Sequence, residues 1–164
     1  MQPSPKLKLV LLTVLLIAVG IFVASCGGSK ANVRKDDRAV FESLALGALE
    51  HHENDPQFQR LLLYSALEKH ELSQMFFDQI VRHVYDFLGG YIRERQHDGA
   101  FIEIDPAIVV RCFIGMVMHH SLNNNLWDPD RRLLNISNAG AAKHFTDLLL
   151  KGIIVPAATT QSEK

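Results

Sequence analysis

The sequence predicts an all-α domain of five helices behind an N-terminal membrane-targeting segment. Three observations predict it. Apolar residues recur at three- and four-residue steps in five successive stretches, the period of a helix with one buried face. Two Asp-Pro pairs, Asp55-Pro56 and Asp105-Pro106, place a capping carboxylate before a proline suited to the first helical turn. No stretch of any length alternates with period two, and no internal repeat or low-complexity block interrupts the helical pattern.

The chain has 164 residues, 48% hydrophobic and 21% charged, which suits one globular domain with a sizeable core. Of its 17 basic residues, Lys6 and Lys8 fall in the leader, so the rest carries a slight acidic excess against 18 acidic side chains. That balance speaks against a nucleic-acid surface, which needs clustered basic charge. Cys26 and Cys112 lie in unlike settings and do not suggest a disulfide framework.

The leader comes first. Lys6 and Lys8 give a positive start, Leu9 to Ala24 is apolar apart from Thr13 and Gly20, and Val23-Ala24-Ser25-Cys26 closes the run with small residues. Together they describe an export signal over residues 1–25. The last four residues resemble a bacterial lipobox. That resemblance implies cleavage before Cys26 and acylation of Cys26, a stable anchor when two or more chains are attached. The other reading is an uncleaved single-pass helix, since Leu7 to Cys26 is just long enough to span a bilayer. Cleavage at Cys26 would put the domain outside the cytoplasm. An uncleaved segment has basic residues at both ends, with Lys30, Arg34, Lys35 and Arg38 downstream, so charge gives it no preferred direction.

Residues 26–37 are small and polar and read as a tether. The first helix is expected from Arg38 to His52, with Val40, Phe41, Leu44, Leu46 and Leu49 on its stripe. The second runs from Pro56 to Lys69, with Phe58, Leu61, Leu62, Ser65 and Ala66 inward. The third, Glu71 to Gln96, carries Leu72, Phe76, Ile80, Val84, Phe87 and Tyr91. Its Gly89-Gly90 pair marks a bend or a close contact. The fourth follows Asp105-Pro106 to Leu126. From Ala107 to Met118 its one charged residue is Arg111, so it must be buried on more than one face, and one face needs a partner. The last spans Asn138 to Ile153 on Ala142, Phe145, Leu148, Leu149 and Ile153. Residues 155–164 read as a disordered tail.

Enzyme signatures are missing. The eight histidines do not recur at metal-ligand spacing, and His70-Glu71 lacks a second histidine at Gln74. No serine sits in a nucleophile elbow and no glycine loop cradles a phosphate. Cys112, inside an apolar run, is expected to be a small buried hydrophobe, which makes a thiol hydrolase the weakest reading. Asn135-Ile136-Ser137 fits a glycosylation sequon, which carries little meaning behind a bacterial-type leader. No catalytic residue, metal or cofactor is expected.

Several stretches, in this order, resemble the C-terminal domain of TetR/AcrR-type transcriptional regulators. They are Asp55 to Leu72, Phe76-Phe77, Tyr85 to Arg93, Asp105-Pro106-Ala107, Phe113 to Met116 and Leu148 to Ile153. The resemblance covers residues 38–154 and rests on packing patterns rather than on a catalytic signature. It implies an all-helical homodimer whose last two long helices pair with their copies in a second subunit. Val110, Ile114, Gly115, Met118, Phe145 and Leu149 would then lie in that interface. It also implies a pocket for a small, often apolar ligand, bordered by Tyr64, Phe77, Phe113, Met116, His120 and Trp127. Those regulators carry a helix-turn-helix head before this domain, whereas about a dozen residues here separate Cys26 from the first helix, too few for one. DNA binding is therefore not carried over. The expected function is a membrane-anchored dimeric module resembling a regulatory ligand-binding domain; the alternative is a structural remnant with no ligand.

Overall fold

The computed structural model describes residues 36–156. Cys26, the leader, most of the tether and the tail beyond Pro156 lie outside the described residues. Among those described, every regular element is helical, and no helix is long and apolar enough to cross a membrane.

Side chains start each main helix where the sequence places a cap. Helix α1 (Asp37–Asn54) begins as Asp36 accepts a bond from the Ala39 N–H at 3.0 Å. Helix α2 (Pro56–Leu67) is capped by Asp55, which accepts from the Phe58 N–H at 3.0 Å. It ends in a turn where Lys69 takes a left-handed φ of 53°. Helix α3 (Glu71–Phe76) passes without a break through a π turn (Phe77–Val81) into α4 (Arg82–His97), because the joining residues keep right-handed helical angles. The rod expected from Glu71 to Gln96 thus forms, but its irregularity falls at Phe77–Val81 rather than at Gly89-Gly90. Gly89 is buried in the helix instead.

Gly99 turns the chain with φ 72°, and Asp105 then caps helix α5 (Pro106–Leu122) through the Ala107 N–H at 2.8 Å. A second π turn (Asn123–Trp127) extends α5. Helix α6 (Asn138–Ile153) is capped by Ser137.

The core lies where α1 meets α6, α5 and α4. Phe41 is fully buried and meets Phe113 edge-on, ring centres 5.2 Å apart. Ala45 on α1 and Ala141 and Ala142 on α6 are also fully buried, and their small side chains let the two helices pack closely over much of their length. Leu88 and Ile92 complete the α4 contribution. The segment between α4 and α5 is stitched to the end of α6. The Ile102 N–H donates to Ile153 O at 2.8 Å, and the Val155 N–H donates to Ala100 O at 3.0 Å.

Three expected burial patterns are corrected. On α2, Gln59 and Ser65 are buried, while Leu61 and Ala66 are exposed. The helix packs mainly on α3 and lightly on α1, so a rotation that serves the polar pair leaves Leu61, Leu63 and Leu67 outside. On α6, Leu148 is exposed, while Leu149, Leu150 and Ile153 are the residues that turn into the core. On α5, Cys112 is exposed rather than buried. The inward stripe is Val109, Val110, Phe113, Val117, His120 and Ser121, and Cys112 lies off it with Ile108, Gly115 and His119.

Candidate functional site

The most polar interior region lies where the end of α1, the start of α2 and the end of α5 converge. Gln59, 5% exposed, donates from Nε2 to the Ser121 hydroxyl at 3.0 Å. Its carbonyl oxygen accepts from Asn125 Nδ2 at 2.8 Å, and the same Asn125 amide reaches His52 O at 3.2 Å. One glutamine therefore joins α2 to both the α-helical and the π-turn part of the α5 rod. On the same rod, Asn124 Nδ2 lies 3.1 Å from His120 Nε2. The far side of the His120 ring meets Phe145 edge-on at 5.4 Å.

Helical spacing explains the convergence. Ser121 and Asn125 are four residues apart, as are His120 and Asn124, so each pair shares a helix face. The π turn closes with the Asp128 N–H donating to Asn123 O at 2.8 Å. Such wide turns recur at functional positions in helices. Beyond it, Asp128 is buried and accepts from the Arg132 and Leu133 N–H groups at 2.9 and 2.7 Å. Those two backbone bonds hold its carboxyl below the usual range.

Two histidines set the electrostatics. Burial pushes the His52 imidazole down to about 4, with the neighbouring His51 adding to the shift. Its Nδ1 is buried with no hydrogen-bond partner among the described residues. Burial likewise lowers His120, with Arg131 and His119 contributing. Both rings are therefore neutral near pH 7, each able to donate one hydrogen bond and accept one. Gln59, Ser121, Asn124 and Asn125 are neutral as well. The amides are largely spent on one another: Gln59 is bonded at both ends, and Asn125 Nδ2 reaches both Gln59 and His52 O. The junction brings no nucleophile beside a charged base. Among the described residues, no group of three His, Cys, Asp or Glu side chains is placed to hold a metal ion.

The six residues expected around a pocket are dispersed. His120 belongs to the junction, and Trp127 stands beside it, 63% exposed and 6.2 Å from the His119 ring. Phe113 is in the core against Phe41, and Met116 is half-buried. Tyr64 and Phe77 are exposed on α2 and the first π turn. The residues expected at a dimer interface divide similarly. Val110 and Leu149 are core residues of the single chain, Ile114, Met118 and Phe145 are half-buried, and Gly115 is exposed.

Sequence reasoning passed over Gln59, Ser121 and Asn125 at the junction and Ile108 on the outer surface, and it placed Leu148 inward. The available signal for the junction was the run Asn123-Asn124-Asn125 ending a long apolar helix. For the surface it was the spacing of Ile108, Cys112, Gly115 and His119, which forms a stripe separate from the buried one. No family model, curated protein or solved structure matches the chain.

Proposed function

We propose that the chain is a membrane-anchored, homodimeric helical module of the kind that the TetR-type resemblance implies. One observation carries the dimer: the outward stripe of α5 is apolar or small from Ile108 through Cys112 to Gly115, before it reaches His119. Ile108 is 53% exposed, and the space beside Gly115 is open, with no atom within 4 Å of where a Cβ would stand. Leu148 on α6, which packs against α5, is 64% exposed. Pairing these surfaces across two copies buries apolar groups and lets two α5 backbones approach at glycine. The anchor is read from the leader and from Cys26.

Within this reading, a small ligand with an apolar body and an uncharged polar tip would be met at the polar junction by the unpartnered His52 Nδ1. Sedimentation of the membrane-purified chain in detergent tests the dimer: two copies per particle are expected, and one copy at tens of micromolar refutes it. Labelling cells with a palmitate analogue tests the anchor, with label expected on the wild type and lost in Cys26→Ser.

A second reading, a structural dimer with no ligand, is favoured by the dispersal of the six pocket residues. Retention of a lipid-like molecule through purification would count against it.

A further inference from the structure

Helix α2 presents an apolar surface that no described residue covers. Phe58, Gln59, Leu62 and Ser65 turn toward the domain. On the opposite stripe, at three- and four-residue steps, stand Arg60, Leu63, Tyr64 and Leu67. Leu63 is 38% exposed, Tyr64 68% and Leu67 69%, and the exposed Phe77 lies on the rod that packs against α2. Arg60 and Glu68 are the charged residues of this face, and their charges cancel. A cluster of large apolar side chains on one helix marks an interaction surface.

We propose that this face rests on a lipid bilayer, the one to which the N-terminal segment anchors the chain. The inference depends on that anchoring and on neither its chemistry nor the side of the membrane. Chain length argues for it. Cys26 lies ten residues before Asp36, so the domain starts at most about 35 Å from the anchor. Helix α1, 18 residues and thus roughly 27 Å long, leads directly into α2 through Asp55. An anchored domain therefore keeps α2 within reach of the lipid surface at high effective concentration.

Side-chain chemistry agrees. Leu63 and Leu67 suit the acyl boundary. Tyr64 has an apolar ring and a polar tip, which favours the headgroup level, and the long stem of Arg60 lets its charge reach water. Because the face carries no net charge, binding should depend little on anionic lipid or on salt.

The test uses the full chain reconstituted with phosphatidylcholine vesicles. Trp127→Phe removes the one native tryptophan, and Tyr64→Trp puts a reporter on the face. The emission of that reporter should shift to shorter wavelength and be quenched by brominated acyl chains. Adding Leu63→Glu and Leu67→Glu should abolish the quenching while the protein still floats with the vesicles. Both positions are exposed, so the thermal unfolding midpoint should stay close to that of the parent. A chain that floats with an unquenched reporter overturns the inference and leaves the anchor standing. A chain that does not float overturns both. A reporter shielded in detergent as protein concentration rises, without vesicles, assigns the face to a second copy and overturns the inference too.

Discussion

Arg95 grips Asp37 through two parallel bonds, Nε to Oδ1 at 2.7 Å and Nη2 to Oδ2 at 3.0 Å. Tyr91 adds a third, donating its hydroxyl to the same carboxylate at 2.6 Å. The guanidinium also lies 5.7 Å from the centre of the Phe101 ring. Side chains on α4 thus lock the first residue of α1, at the point where the tether enters the domain. Burial and the bond to Asp37 both push the Tyr91 hydroxyl up, so it remains a donor at any physiological pH.

Asp37→Ala should destabilise the domain by about 1–3 kcal/mol, because it takes the Tyr91 phenol's acceptor and two of the bonds of a mostly buried guanidinium, which keeps its bond to Asp98. Urea unfolding measures it. Arg38→Ala, which breaks the more exposed pair with Asp147, should cost clearly less. Equal effects would show that the Asp37 clamp is no stronger than a surface ion pair.

Stability should fall with acid through His52. Folded, its imidazole titrates at about 4; unfolded, it titrates near the ordinary value of about 6.5. Between those values the unfolded chain binds a proton that the folded chain refuses. The contribution is therefore complete above about pH 6.5 and is lost as pH drops toward 4, by on the order of 2 kcal/mol after allowing for residual exposure. His52→Gln should flatten that slope. An unchanged difference between pH 7.5 and pH 5 would mean that His52 is solvated in the folded state.

The polar junction should behave as one unit. Gln59→Ala removes a partner from both Ser121 and Asn125, at a cost of about 1–3 kcal/mol. With Asn125→Ala already present, the same change should cost less, with a coupling of about 0.5–3 kcal/mol in a double-mutant cycle. Strict additivity would refute the network.

Neighbouring positions on α5 should separate folding from pairing. Val110→Ala, in a fully buried site, should lower unfolding stability by about 1–3 kcal/mol. Ile108→Glu should leave the fold intact and split the dimer. Cys112, exposed on the same outward stripe as Ile108, should react with iodoacetamide in the native state, more slowly as protein concentration drives pairing. A rate independent of concentration would place the interface elsewhere.

Much of the helical layout was legible from local signals. Asp55-Pro56 and Asp105-Pro106 fix helix starts because a cap needs only an oxygen and the next few N–H groups. The apolar stripes of α1 and α4 follow the helical period, and Phe41, Leu49 and Tyr91 fall where that period puts them. The candidate site was far less legible. Gln59 and Asn125 are 66 residues apart, and nothing local to either shows that they bond.

By itself, then, the sequence determined the five helical stretches to within a few residues and the caps at Asp55 and Asp105, since these depend on interactions within a few residues. It could not decide which face of each helix turns inward when both faces are apolar. Leu61 and Leu148 look as buriable as Leu62 and Leu149, and Cys112 as buriable as Phe113. Only tertiary packing decided among them. A helix has one rotation about its axis, and on α2 that rotation serves Gln59 and Ser65, leaving Leu63, Tyr64 and Leu67 facing outward.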